Sequence, residues 1–516
     1  MRRFLSRFAD QVLGVLNGFD RLILRGVLYP VAVVSGMRHF LHRVDVLLKD
    51  FAPYVHQASE TVKAASAAAA VATGRPVLYL TSPKTDKAAL AQQIAAKDGI
   101  AEGLIAVLRS VEVCRGYTVR GNRATQKLEL VLEPRKCLHY YHYLIDPVFG
   151  FMNARVQTWF PFNIQVCLNG REVLARALDR EGIAYERREN CFAWIEDLAR
   201  AQELMDALLR TSWPDELNRF ARLVNPAHAA VFGSYRAEYY WIGHETEWAS
   251  DVMFRDPADL AALSAPLARH GVAVLGSRDV LHFLGRKLSA PLRAEVTSHL
   301  KCRPEGVRVL HSVGRNSVKA YDKQGSVLRV ETTINNPRDF KVFRPQDAAA
   351  NGQRSWQKMR KGVADLHRRA EVSQAANERY LDTLASLDTS TPVGELARDI
   401  CRPTRWHGQR VRALRPWSED DHALCAAVLR GEFALNGFRN RDLQVLLYEH
   451  PPASPEEQRR RRAAVTRRLR LLRAHGLIQR VSRTHRYVLT TKGRDTLVPI
   501  LVTQNLTIQE LRGAAA

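Results

Sequence analysis

Between Arg459 and Arg494 the chain carries thirteen Lys or Arg and no Asp or Glu, yet Val465, Leu469 and Leu472 recur inside the run at helical spacing. A solvated charge run has no such seam, whereas a helix docked on a small core with a cationic outer face requires one. Ser454-Pro455-Glu456-Glu457 ahead of the run is a capping box with proline at the first helical position, and His475-Gly476 is a helix stop. Leu477-Ile478 opens an alternation of apolar and basic residues, and Val481–Leu489 predicts a hairpin with Arg483-Thr484-His485-Arg486 at its tip. Upstream, Ser418 caps a first helix running to about Leu429, Asn440 caps a second through Leu443 and Leu447, and Thr490-Thr491 begins a last one.

Basic helix followed by basic hairpin is the plan of a winged-helix nucleic-acid binder. The run His475-Gly476-Leu477-Ile478, Tyr487-Val488-Leu489-Thr490 and Lys492-Gly493-Arg494 resembles the wing region of MarR-like bacterial regulators. That resemblance implies a basic helix in the major groove and a wing along the backbone. Carried over by position, it implies that Arg460, Arg461, Arg467 and Arg468 face nucleic acid and that Arg483 and Arg486 grip phosphate. The chain is more than three times as long as those regulators, so a self-contained repressor is not expected, and winged helices also serve as protein-protein modules.

At 516 residues there is chain for two to four domains, each with its own core. The net charge of +24 is concentrated: 21 basic and 8 acidic residues lie between Arg402 and Arg494. A polyanionic partner is expected, nucleic acid before membrane surface and DNA before RNA. The seven cysteines form no Cys-x-x-Cys pair, which argues against a zinc ribbon or a disulfide scaffold. Arg7, Asp10, Asp20 and Arg21 interrupt the apolar start of the chain, and Gly26–Met37 is well short of the roughly 18 residues that cross a bilayer. A soluble, cytoplasmic protein is expected.

The expected fold class is α+β: a mixed body with two β-rich segments and a C-terminal winged-helix domain. Residues 1–125 read as an N-terminal region, with strands at Arg21–Leu28 and Val77–Leu80 and helices around Val62–Thr73 and Asp86–Ala96. Residues 126–387 read as a central domain. It holds strands at Leu128–Glu133 and Phe162–Leu168, a helix over Glu172–Arg180, a hairpin and a basic helical pattern from Trp356 to Leu384. Residues 388–401 read as a linker and 402–516 as the winged-helix domain.

In the hairpin, Ser317–Lys323 and Val327–Thr333 meet at Gln324-Gly325. Alternation puts Lys319, Tyr321 and Lys323 on one face of the first strand and Arg329, Glu331 and Thr333 on one face of the second. Such a face could bind a phosphodiester, with Glu331 holding a divalent metal, Tyr321 as nucleophile, and Lys323 and Arg329 on phosphate. The alternative is a solvated sheet face with a cross-strand Arg/Glu or Lys/Glu pair. Tyr321-Asp322-Lys323 with Arg329-Val330-Glu331 resembles the Tyr-x-Lys and Arg-x-Glu strands of rolling-circle replication initiators. Their His-hydrophobic-His metal pair is missing, since His139 and His142 are three apart and face opposite sides of a strand.

His139, Tyr141 and Tyr143 could stack bases of a single strand. His244-Glu245-Thr246-Glu247 looks like half of a metal-binding helix, with Trp248 where the second His would be. No phosphate-binding Gly loop and no Gly-x-Ser-x-Gly elbow is present. As a whole the chain resembles a family of long bacterial proteins of uncharacterised activity associated with mobile elements. The leading expectation is a nucleic-acid-binding protein that docks on duplex DNA. The alternatives are a metal-dependent nuclease or nicking initiator centred on Glu331 and Tyr321, and an RNA binder. The sequence identifies no cofactor; a divalent metal belongs to the nuclease reading. Further acidic residues beside Glu331 favour the enzyme, and a lone Glu331 paired to an arginine favours binding only.

Overall fold

A computed structural model describes residues 1–273, 280, 283–284, 296–303, 306–345, 354–385, 393–429, 433, 437–481 and 484–504. The fold is α+β. In chain order the main strands are β1 (Val12–Leu28), β2 (Val77–Leu80), β3 (Gly103–Asn122), β4 (Lys127–Asp146), β5 (Gly150–Gln157) and β6 (Ile164–Asn169). There follow β7 (Tyr185–Arg188), β8 (Cys191–Ile195), β9 (Tyr239–Phe254), β10 (Val296–Arg303), β11 (Gly306–Val313), β12 (Asn316–Lys323) and β13 (Val327–Ile334). The chain forms two compact units, each built from separated stretches: 10–257 with 323–377, and 1–9 with 258–322 and 378–516.

The first unit is organised on strands in the order β13-β9-β1-β6-β5-β4-β3-β2, antiparallel except where β2 lies beside β3. The boundary expected at residue 125 falls at the β3–β4 turn, in the middle of this sheet. Leu22, Leu24, Ala154, Val156, Val166 and Leu168 share one face by alternation and are buried in one core with Phe51, Val55 and Val62 of the helix Phe51–Ala72. The same core takes Trp213, Leu217 and Phe220 from the helix Trp213–Val224. Each buried Leu, Val or Phe among them contributes about 1.5–3 kcal/mol of apolar burial. The alanine-rich stretch is thus a docked helix, with Ser66, its Oγ 2.8 Å from His142 Nε2, and Ala70 buried in it.

The helix Leu366–Leu384 lies along β9 and β13, where the buried Asn377 ties the two strands together. Its amide donates to Trp248 O at 3.1 Å, Ser250 Oγ at 3.2 Å and Val330 O at 3.0 Å, and its Oδ1 accepts from Thr332 Oγ1 at 2.7 Å. The helical pattern expected from Trp356 starts later, because Arg354–Lys358 pairs as a strand with Lys341–Pro345.

The opposite sheet face is polar. Register places side by side Glu245, Glu247 and Asp251 of β9, Arg21 and Arg25 of β1, Gln165 of β6, Arg155 of β5 and Tyr141 of β4. The helices Gly170–Glu181 and Leu198–Ala207 cover one end of it. Their approach depends on glycine: a Cβ on Gly18 would lie 2.0 Å from Met205 Cε, and one on Gly170 would lie 1.8 Å from the Phe19 carbonyl oxygen.

In the second unit β10, β11 and β12 form an antiparallel meander. Its C-terminal part has a core of its own, in which Val465, Leu469, Leu472, Leu477 and Ile478 meet Leu424, Cys425 and Leu443. Residues 393–400 of the expected linker are a helix, Val393–Ile400, packed into that core, and 388–392 lie outside the described residues. No helix among the described residues is long and apolar enough to cross a membrane.

Candidate functional site

The polar face of the first unit gathers its charge where β1, β9 and β13 run together. Along β1 the pairing with β9 passes from Phe19↔Trp248 to Arg21↔Glu247, so Asp20 is the extra residue of a bulge. Asp20, Glu247 and Glu331, one from each strand, bring carboxylate oxygens within 4.8 Å of one another, and all three are buried. Beside them Arg329 grips Asp251, Nε to Oδ1 at 2.6 Å and Nη2 to Oδ2 at 2.9 Å, and its Nη1 lies 3.2 Å from Asp20. Arg171 reaches the same carboxylate from the start of the helix Gly170–Glu181, Nη2 to Asp251 Oδ2 at 2.8 Å. The side chain of Asn169 caps that helix by accepting from Arg171 N at 2.8 Å. Asn190, between β7 and β8, donates to Asp20 Oδ1 at 2.7 Å. Arg21 spans Glu245 and Glu247, at 2.5 and 3.1 Å.

Five carboxylates (Asp20, Glu245, Glu247, Asp251, Glu331) and three guanidiniums (Arg21, Arg171, Arg329) meet there, most of them buried. The charges shape one another. Burial pushes the Asp251 carboxyl up, but Arg171 and Arg329 outweigh it and hold it below the ordinary aspartate range. Burial likewise lowers Arg21, and Glu247, Glu245 and Glu331 together raise it above its usual value. Both oxygens of Asp251 are held by guanidinium. Asp20, Glu247 and Glu331 form the set with the donor type and spacing for a hard divalent cation.

This corrects the solvated sheet face: Arg329 and Glu331 are each 1% exposed, and β13 is buried on both sides. Lys323 is half-buried with its ammonium 3.5 Å from Glu189. Tyr321 belongs to the other unit, half-buried on β12 with Lys319 Nζ 5.8 Å from its ring centre. His244–Glu247 lies within a strand, not a helix, and strand alternation is what turns Glu245 and Glu247 to one side. His139, Tyr141 and Tyr143 are buried, so no aromatic platform for a single strand is exposed there. Sequence reasoning missed Asp20, Glu247 and Asp251. The available signals were an Asp-Arg pair inside the apolar strand Val12–Leu28 and acids at 245, 247 and 251 at strand spacing.

A second group on the same face is Cys114, Cys137 and His139, with Sγ to Sγ at 2.6 Å and His139 Nδ1 3.9 Å from Cys137. The cysteines, which form no Cys-x-x-Cys pair in sequence, thus include one close pair in space.

In the C-terminal part, the basic helix spans Pro455–Ala474, with Ser454 Oγ accepting from Glu457 N at 3.1 Å. The helix before it, Asn440–Leu447, is capped one residue earlier than expected, Arg439 N donating to Asp442 at 2.7 Å. Arg460 and Arg467 are exposed. Arg461 is committed within the module, 2.5 Å from Glu457 and 4.6 Å from the Tyr448 ring centre, and Arg468 pairs with Asp420 at 2.6 Å. Arg486 is half-buried on the hairpin; Arg483 lies outside the described residues. A short hairpin, Thr404–Trp406 with Gln409–Val411, flanks the helix. There Arg410, Arg467 and Arg470 line a groove of about 500 Å³, which the sequence did not announce.

Comparison of the chain with protein families, with curated proteins and with solved structures gives no match, so its functional reading rests on this geometry alone.

Proposed function

We propose that this protein is a divalent-metal-dependent phosphodiesterase acting on nucleic acid, with Asp20, Glu247 and Glu331 as its cation site. The observation that carries the reading is the apposition of three buried carboxylates from three neighbouring strands. A divalent cation suits three carboxylate donors at that spacing. It would polarise a phosphodiester and lower the pKa of a bound water, while Arg21, 50% exposed at its side chain, sits beside the carboxylates to meet the phosphate. The second unit supports a nucleic-acid substrate. Helix Glu419–Val428, a bridge at Phe438↔Tyr487, helices Asn440–Leu447 and Pro455–Ala474 and a hairpin follow one another in the order of a winged helix. Its exposed Arg460 and Arg467 suit a phosphate backbone better than a protein partner.

The test is cleavage of labelled single- and double-stranded DNA and RNA by the full chain with Mg²⁺, Mn²⁺ or EDTA. Metal-dependent cleavage that is lost in Asp20→Asn and Glu247→Gln, with nucleic-acid affinity in EDTA retained, is expected. Binding without cleavage under any metal would make the carboxylates a structural ion-pair network and the protein a binder only.

A further inference from the structure

Farther along the polar face, Arg25, Gln165 and Arg155 stand in register on β1, β6 and β5. They wall a cavity of about 280 Å³ that Cys114, Arg115 and His139 also line. Arg155 is well partnered: Nη1 donates to Glu112 Oε2 at 3.1 Å and to Tyr141 OH at 2.8 Å, and Nη2 to Gln165 Oε1 at 2.9 Å. Glu112 is shared again with Lys87 at 3.2 Å. Arg25 differs. Among the described residues its guanidinium donates no hydrogen bond and meets no carboxylate, although it is half-buried. Burial and then Arg155 push its pKa down, with Arg115 adding to the effect. The cavity thus has three guanidiniums and no acid in its lining.

The Cys114 thiol on its lining responds to these charges. A hydrogen bond from Cys137 and the charges of Arg135, Arg155 and Arg25 outweigh its burial and bring its pKa below the usual thiol value.

We propose that this cavity is a phosphate-binding subsite, in which Arg25 and Arg155 hold one phosphate group of a nucleic-acid strand. The choice of a strand rests on the function proposed above; the oxyanion chemistry does not. Planar guanidinium forks match phosphate oxygens, and an anion between Arg25 and Arg155 turns their repulsion into attraction. Arg25 lies four residues from Arg21 on one side of β1, a span of about 13 Å at strand rise. The subsite therefore addresses a phosphate a short distance along the strand from the bond at the carboxylates.

The experiment uses the full chain in EDTA, so that cleavage cannot interfere. Inorganic phosphate should raise the melting temperature of the wild type and protect Cys114 from iodoacetamide, read by mass spectrometry; Arg25→Gln should abolish both effects. Arg25→Gln should weaken binding of a fluorescent oligo-dT and reduce the slope of log K against log salt by about 0.7, one single-strand phosphate contact. Arg25→Lys should restore the slope and only part of the affinity. A phosphate response without an oligonucleotide effect would assign the subsite to free phosphate groups. Unchanged phosphate stabilisation and unchanged oligonucleotide affinity in Arg25→Gln overturn the proposal. Metal-dependent cleavage is measured separately: its absence beside Arg25-dependent binding would sink the phosphodiesterase and leave the subsite standing.

Discussion

Glu331→Gln separates a cation site from a structural ion pair, because the two predict opposite signs for stability. The Glu331 carboxylate has both Asp20 and Glu247 within 4.8 Å. At an effective dielectric of about 20, each such pair of charges repels by about 3.5 kcal/mol. The isosteric amide removes both repulsions, which partial protonation and solvent already soften, and forfeits the attractive contacts of the carboxylate, the half-exposed Arg21 among them. A net stabilisation of about 1–3 kcal/mol is expected for the metal-free protein, each kcal/mol moving the midpoint by about 2–4 °C. With Mn²⁺ at a hundred times its dissociation constant the wild type should gain about 2.7 kcal/mol and Glu331→Gln much less. Calorimetric melting in EDTA and in Mn²⁺ reads both effects. If Glu331→Gln instead melts several degrees lower in EDTA and the wild type ignores Mn²⁺, the carboxylate is a partner of the neighbouring guanidiniums and the reasoning is refuted.

Asp251→Asn should destabilise the protein by about 3–5 kcal/mol, since it leaves Arg171 and Arg329 buried around a neutral amide; urea denaturation at pH 7 checks this. Because the folded pKa of Asp251 is depressed, its contribution is fully present above the unfolded value of about 3.9 and lost as pH falls through the folded one, so the wild-type advantage should shrink only below about pH 4. Gly170→Ala should cost about 1–3 kcal/mol in the same assay, although alanine favours helices, because its Cβ meets the Phe19 carbonyl at 1.8 Å. Arg460→Ala and Arg467→Ala should each lower the salt slope on duplex DNA by about 0.9, whereas Arg461→Ala should leave it unchanged and loosen the helix start where Arg461 meets Glu457.

What the sequence revealed was local. The seam of Val465, Leu469 and Leu472 and the Ser454 cap are short-range signals, and both are seen in the structure. The hairpin strands around Gln324-Gly325 were also legible. The carboxylate group was not, because it depends on β1 pairing with β9 and β9 with β13, partners remote in sequence. Burial of β13 on both faces was equally hidden. Its alternation of apolar and polar residues suits a half-exposed strand, and only the cover supplied by the helix Gly170–Glu181, through Arg171, and by the β7–β8 turn makes Arg329 interior. Arg468 read as a phosphate contact because its partner Asp420 is remote in sequence, whereas the Glu457–Arg461 pair was open to helical i,i+4 spacing and was overlooked.

The interleaved order of the units has a consequence for synthesis. Strand β9 is complete by residue 254, but its neighbour β13 begins only at residue 327, after a stretch that belongs to the other unit. On a ribosome, β9 would emerge with one edge lacking its partner, its amide and carbonyl groups open to any strand that passes. Asp20 and Glu247 would already be in place, while Glu331 and the neutralising Arg329 would still be untranslated. A nascent or truncated chain of about 300 residues should therefore be a client for chaperones, and the three carboxylates would assemble only with the last strand of their sheet.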